Sequence, residues 1–431
     1  MTQEKKHSGT GQDCPKGYKS CDGYRIPKEW HIVRFDSLFS RVTRKNDENN
    51  QNVLTISAQQ GLISQIEYYN TLYASENKTG YTLLHRGDFS YNKSYSSGYA
   101  YGAIKRLDAY EKGIVSPLYL CFTPRQGVNS DFYLQYFEAG CFDREIYKIA
   151  QEGARNHGLL NVSTEDFFHS MLVFPPLEEQ ERITEILTQC DHVIELKEQK
   201  LDELKQLKKE FLRKMFPAKG CDTPEIRFPG FTGAWEQRKL GTVTELLTGF
   251  PFESKKFTND GIKLVRGTNV KRGYLDFSEG LCEYWTSAQG LENYLLKSGD
   301  ILIQMDGALI GKSYAKIREN QLPALLVQRV TRARVQSNNA DEAFVYQQIQ
   351  KGFLAYIKGT KTETAVPHLS LSDIENFMIE IPSIGEQKQI GAFFEQLDTL
   401  ITLHQRELEE TKTYKKTLAK LLLTGIVRVQ G

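Results

Sequence analysis

The stretch from Asn92 to Arg106 holds the densest set of side chains able to do chemistry. Lys93, Ser94, Tyr95, Ser97, Tyr99, Tyr101, Lys105 and Arg106 mix cations, hydroxyl donors and aromatic rings. Cations position a polyanion by its phosphates, while hydroxyl, amide and guanidinium groups match base edges. These residues are therefore candidate nucleic-acid contacts, against the plainer alternative of an exposed hairpin tip. Arg41, Arg44 and Lys45 are candidate phosphate ligands upstream, and Arg155, Asn156 and His157 are similar downstream. A second set lies in the other half of the chain. It comprises Gln304, Asp306 and Lys312, the basic cluster Lys255, Lys256, Arg266, Asn269, Lys271 and Arg272, and then Lys358, Lys361 and His368. Any of these residues could equally be solvated surface.

No catalytic signature accompanies them. There is no Gly-x-x-x-x-Gly-Lys-Ser/Thr phosphate loop, His-Glu-x-x-His pair, Gly-x-Ser-x-Gly elbow or strand-linked Gly-x-Gly-x-x-Gly. Phe174-Pro175-Pro176-Leu177 lacks the polar first and aromatic last residue of the Asn/Asp-Pro-Pro-aromatic motif of amino-methyltransferases. Its twin Ile381-Pro382-Ser383-Ile384 lacks even the second Pro, so both read as helix entries. The eight His show no metal-ligand spacing, and the seven Cys form no Cys-x-x-Cys pair. Scattered reduced thiols, a polar N-terminus without an apolar signal core and no membrane-length apolar run together predict a cytoplasmic protein. A net charge of +1 hides or lacks a basic face, so it decides little about nucleic acid.

The elements that must position the candidates come from a duplication. Ser163 to about Phe216 aligns without a gap on Ser370 to about Leu423, at a constant offset of 207 positions (Pro175 to Pro382, Gln180 to Gln387). Each copy carries an apolar seam at alternating steps of four and three. One runs Ile183, Leu187, Cys190, Ile194, Lys197, Leu201, Leu204, Lys208, Phe211, Met215. The other runs Ile390, Phe394, Leu397, Ile401, His404, Leu408, Thr411, Lys415, Leu418, Leu422. A seam sustained this long predicts two coiled-coil helices of roughly 34 residues, about 50 Å each. Lys197 and His404 interrupt the seams at equivalent positions, setting register or snorkelling outward. A short linker after the first helix requires the second to run back antiparallel, with a domain at each end of a rod.

The expected order is a polar tail (1–23), a first mixed α/β domain (24–162) and a first spacer helix region (163–216). A linker (217–234), a second α/β domain (235–369), a second spacer region (370–425) and a C-terminal tail (426–431) follow. Strands are expected around Val53–Ile56, Tyr81–Leu84, Phe89–Tyr91, Ala103–Ile104 and Val115–Phe122, with a helix near Asp131–Phe142. In the second domain strands are expected at Ile262–Val265 and Ile301–Ile303, and as a pair around Tyr314–Ile317 and Leu325–Val330. Gly299-Asp300 repeats Gly87-Asp88, and Gly307 and Gly311 repeat Gly98 and Gly102. The layout recurs while the loop chemistry differs, as expected of one ruler with two different readers. One DNA turn is about 34–36 Å, so such a rod suits a split site with an unread spacer.

This order resembles the specificity subunit of Type I restriction-modification enzymes. The motifs are Pro-x-x-x-Glu-Gln-x-x-Ile at each helix entry, Ile26-Pro27-Lys28-Glu29-Trp30, and Pro224-Glu225-Ile226-Arg227-Phe228-Pro229-Gly230-Phe231 before Trp235. The likeness covers about residues 24–425. It implies two target recognition domains reading a bipartite site in double-stranded DNA, and no catalysis in this chain. It also implies two methyltransferase subunits, docked with help from the helices, and two restriction subunits. S-adenosylmethionine and ATP with magnesium would belong to those partners. Glu179, Gln180, Glu386 and Gln387 are candidate partner-docking residues, although Glu in a first helical turn has a sufficient local reason in the helix dipole. The competing readings are a stand-alone DNA-modifying enzyme and a non-catalytic coiled-coil adaptor.

Overall fold

The computed structural model describes residues 15–57, 60–71, 73, 77–95, 98–150, 160–218, 220–307, 310–336, 340–360 and 368–429. The chain divides into two compact units, Met1–Lys197 with Glu407–Gly431, and Glu198–Arg406.

Each unit is built on a four-stranded antiparallel sheet of the same order. In the first unit it runs Phe39–Arg41, Leu120–Pro124, Phe89–Asn92, Ala103–Arg106. In the second it runs Thr244–Thr248, Val330–Val335, Ile301–Gln304, Tyr314–Lys316. The same turn starts the third strand of both. Gly87 (φ 91°) and Gly299 (φ 90°) take a backbone that a β-carbon would strain. Their N–H groups donate to Leu107 and Ile317 (2.8 and 3.0 Å). The following carboxylates, Asp88 and Asp300, close the turn by accepting from the N–H of His85 and Lys297, both at 2.7 Å.

Aromatic rings fill the first core. Phe35, Phe39, Phe89, Phe122 and Phe167 are fully buried, and Phe89 stacks on Phe122 at 5.3 Å. The second core is mainly aliphatic, with Ile301, Ile303, Ala333, Val345, Ile349 and Phe353. Either composition supplies the same driving force, because burial of apolar area is not directional. Behind each sheet a Ser caps a short helix. Ser163 accepts from the Asp166 N–H at 3.0 Å and Ser370 from the Asp373 N–H at 3.2 Å. A two-stranded pair then feeds each long helix: His31–Arg34 with Met171–Phe174, and Glu236–Lys239 with Met378–Ile381.

The long helices span Leu177–Lys214 (38 residues) and Ile384–Leu423 (40 residues). Ile183, Leu187, Leu201, Leu204 and Met215 are buried along one seam, and Ile390, Phe394, Leu397, Leu408 and Leu422 along the other. In the first unit Asp191 pairs with Lys415, and Lys197 leaves the seam to bond Glu407 at 3.0 Å. In the second unit Lys208 bonds Asp398 at 2.6 Å and Phe211 packs on Phe393 at 5.0 Å. As one number rises its partner falls, so the helical segments pair antiparallel within each unit.

Three local expectations change. Part of the tail is ordered, because Tyr18–Cys21 pairs with Tyr24–Pro27 across Asp22-Gly23. Both turn residues have positive φ (48° and 74°), as a two-residue hairpin of this kind requires. Val115–Phe122 is the end of one strand, Lys112–Val115, and the start of another, Leu120–Pro124. Ala324–Leu326 does not pair with Tyr314–Lys316. It runs parallel to Ile262–Val265 instead.

Candidate nucleic-acid interface

In the first unit, much of the basic loop folds inward. Lys105 is buried, and its ammonium bonds both Glu138 carboxylate oxygens (2.6 and 2.7 Å) and the Tyr99 hydroxyl (3.1 Å). Tyr99 itself donates to Glu138 at 3.0 Å. Arg106 is held by Asp108 (2.7 Å) and Asp131 (2.6 Å) over the Phe89 ring. Arg44 pairs with the turn carboxylate of Asp88. The Tyr101 ring lies against Tyr147 at 6.0 Å, and its carbonyl accepts from the Tyr91 hydroxyl. Lys105, Tyr99, Arg106 and Tyr101 are structural ties of the hairpin to its surroundings, while Arg44 remains exposed and ties its own segment to the Asp88 turn. The tie formed by Lys105 and Tyr99 runs to the helix Ser130–Glu138, and its partner residue lies too far along the chain to be seen locally.

The outward set is smaller. Arg41 is exposed and makes no ion pair among the described residues. Lys45 is exposed, with its ammonium on the Gly80 carbonyl at 3.1 Å. Lys93 is half-buried and donates to the Val162 carbonyl at 2.6 Å. Burial first, and then the charge of Arg41, hold its ammonium below the usual lysine range. The Ser94 N–H bonds Asn92, and Tyr95 is exposed. Ser97, Arg155, Asn156 and His157 lie outside the described residues.

In the second unit Asn269 is fully buried. Its side chain accepts from the Arg266 N–H (2.9 Å) and donates to the carbonyls of Asp276 and Leu281 (2.9 and 3.0 Å). Arg266 donates to the Leu281 carbonyl at 2.8 Å. Both close a loop rather than face outward. Lys255, Lys256, Arg272, Lys312 and Lys358 are exposed, and Lys271 is partly so. Of these, Lys256 bonds Glu253 at 3.0 Å. Lys361 lies outside the described residues. Gln304, Asp306 and His368 meet at one end of the sheet, where Asp306 and His368 form a bridge. Arg329 joins them, 3.7 Å from the Asp306 carboxylate and 3.5 Å from the His368 ring nitrogen. Nothing in the local sequence marks Arg329.

The Glu-Gln pairs at the helix entries are enclosed. Gln180 and Gln387 donate to the carbonyls of Pro175 (2.8 Å) and Pro382 (2.9 Å), fixing each entry turn. Glu179 accepts from the Trp30 indole (2.8 Å) and from Arg428 (2.6 and 2.9 Å). Glu386 accepts from Arg227 in a two-bonded fork, both at 2.7 Å. All four candidate docking residues are buried among the chain's own groups, where they fix the helix entries.

The sequence matches the family described as Type I restriction modification DNA specificity domain twice, over residues 27–206 and 233–413. The chain belongs to that family. The MjaVIII specificity subunit of Methanocaldococcus jannaschii is 25% identical over 440 residues, covering 96% of this chain and 97% of the relative. The EcoAI specificity subunit of Escherichia coli is 29% identical over 185 residues, covering 42% of this chain and 31% of the relative. A crystal structure of a Type I restriction-modification S subunit from M. genitalium has the same fold (TM-score 0.55, 14% identity, 91% of this chain and 96% of that one).

As a Type I specificity subunit, the chain is a non-catalytic DNA-recognition component with two recognition domains. Among the described residues no group of three or more His, Cys, Asp or Glu could hold a metal ion. No helix there is long and apolar enough to cross a membrane.

Proposed function

We propose that each unit reads one half of an asymmetric bipartite site in double-stranded DNA, and that the long helices set the unread spacer. The observation that carries this is the repeated sheet with unlike reading ends. The Gly-Asp turn and strand order recur in detail, whereas Tyr95, Lys93 and Arg41 stand against Gln304, Asp306 and Arg329. Exposed cations hold phosphates in register, and polar side chains at the sheet end address base edges.

The same reading assigns the helices a docking role for two copies of one methyltransferase partner. Exposed apolar residues recur at the offset of 207: Val193 and Leu400, Leu196 and Leu403, Leu207 and Tyr414. In each unit the same set of three positions is therefore presented, Val193, Leu196 and Tyr414 in one and Leu400, Leu403 and Leu207 in the other. All six immediately precede a seam residue, which puts them on one flank of their helices. Apolar side chains on a helix flank favour covering by another surface. Adenine methylation with S-adenosylmethionine, and ATP-driven restriction, would then reside in partner subunits.

The direct test is to express the chain with its cognate modification subunit and map methylated bases across a genome. A single interrupted, non-palindromic motif is expected. Methylation at one uninterrupted motif, or by the chain alone, would remove this reading. Within that complex, Lys312→Ala and Arg41→Ala should each weaken DNA binding and lower the log–log salt slope by about 1, leaving the motif intact. A slope unchanged from the parent takes that residue off the phosphate path.

A further inference from the structure

We propose that Arg329 and Gln304 form the base-reading pair of the second unit, Arg329 addressing a guanine and Gln304 an adenine, with Asp306 as the residue that positions Arg329. The proposal rests on the reading of each unit as one half-site reader.

Arg329 takes the left-handed backbone at φ +72°, a region that residues with a β-carbon rarely adopt. Its surroundings impose that conformation. The Arg329 carbonyl accepts from the Met305 N–H at 2.9 Å. On either side, the Gln328 N–H donates to Phe250 at 2.9 Å and the Val330 N–H closes a turn on Val327 at 3.3 Å. Gly249 lets the strands approach this closely, since a β-carbon there would fall 2.1 Å from the Val327 carbonyl oxygen. Glycine would fit position 329 without strain, yet an arginine occupies it, more than half exposed at 58% of its side-chain surface. An over-determined, strained backbone under an outward polar side chain points to a function for that side chain.

Two polar groups flank the side chain. Asp306 lies against Nε at 3.7 Å, and Nη1 meets the His368 ring at 3.5 Å. With Asp306 beside Nε and His368 beside Nη1, both Nη2 hydrogens and one Nη1 hydrogen are left to bond elsewhere. Guanine O6 and N7 are the acceptor pair that matches such a fork.

Gln304 stands beside it. It ends the strand Ile301–Gln304 and pairs with Val330, one residue from Arg329. Its amide makes no hydrogen bond among the described residues. A β-carbon at Gly267 or Gly307 would come within 3.2 or 3.4 Å of the amide nitrogen, so both glycines leave room around it. A carboxamide offering one donor and one acceptor matches adenine N6 and N7. In the first unit, the residue at the register of Arg329 is Leu118, 75% exposed. The two reading ends therefore differ in kind at the same place in the sheet.

The test uses the full chain with its modification subunit and genome-wide methylation mapping. Arg329→Gly relieves the backbone and should fold at least as well as the parent. It is expected to lose about 5- to 150-fold of discrimination at one guanine in one half-site, leaving the other half unchanged. Gln304→Ala should relax one adenine in that same half. Arg329→Lys keeps the charge and can still donate to guanine O6 and N7 without the planar fork, so it should retain the salt slope and lose less discrimination than the Gly variant. Asp306→Asn should relax the same guanine to a smaller extent. A uniform drop in methylation with the motif intact, relaxation in both halves, or full discrimination by Arg329→Gly would each overturn the assignment. A parent chain giving no interrupted motif would instead overturn the half-site reading beneath it.

Discussion

Replacing Glu386 with alanine should destabilise the second unit by about 3–5 kcal/mol. The carboxylate is fully buried in the first turn of the helix Ile384–Leu423, and Arg227 grips both of its oxygens at 2.7 Å. The Arg227 side chain is itself only 16% exposed. Removing the acid strands a mostly enclosed positive charge, and the cost comes from that stranded charge more than from the bond lost. For a unit of about this size the shift corresponds to a melting temperature lower by roughly 6–20 °C. Thermal and urea unfolding would measure it. Arg227→Ala should cost a similar amount, because it strands the carboxylate instead. Removing both together, with apolar residues of like volume, should cost far less than the sum. A loss below about 1 kcal/mol from Glu386→Ala would mean the fork is solvated and does not hold the entry turn. Glu179 holds the equivalent place, gripped by Arg428 and Trp30.

The scaffold was largely legible because its signals are local and periodic. The seams, the capping Ser163 and Ser370, and the Gly-Asp turns each depend on residues within a few positions of one another. Asp22-Gly23 carried a hairpin signal of the same kind, masked by the polar residues around it. The candidate interface was less legible because charge alone does not say which way a side chain points. Lys105 and Arg106 look like Lys312 in sequence, but only the first two meet carboxylates, on Glu138 and Asp131, brought in by a helix some 25 to 33 positions away. Asn269 looks like a base reader and is instead a loop bolt, because two carbonyls converge on its amide. Arg329 had no signal at all, since left-handed turns are ordinarily announced by Gly, Asn or Asp. The Glu-Gln pairs were visible, but their enclosure depends on Arg227 and Arg428, which follow the opposite helix in sequence.

The duplication also determines which contacts a transplanted reader would meet. Asp191 takes Lys415 and the amide of Gln135, and Asp398 takes Lys208 and the amide of Gln347. These pairs coincide at the offset of 207 for both Asp and Lys. The Glu-Gln turns and Ser caps coincide as well. A reader from the first unit placed in the second would therefore find an acid for its Gln135, a Glu for its Trp30 and a capping Ser at its exit. This compatibility permits a chain in which residues 30–162 replace residues 235–369, assembled with the modification subunit. If two equivalent readers each address one half-site, methylation mapping of that chain should return an interrupted palindrome built from a single half-site of the parent motif. An unchanged asymmetric motif, or two halves that still differ, would contradict the account.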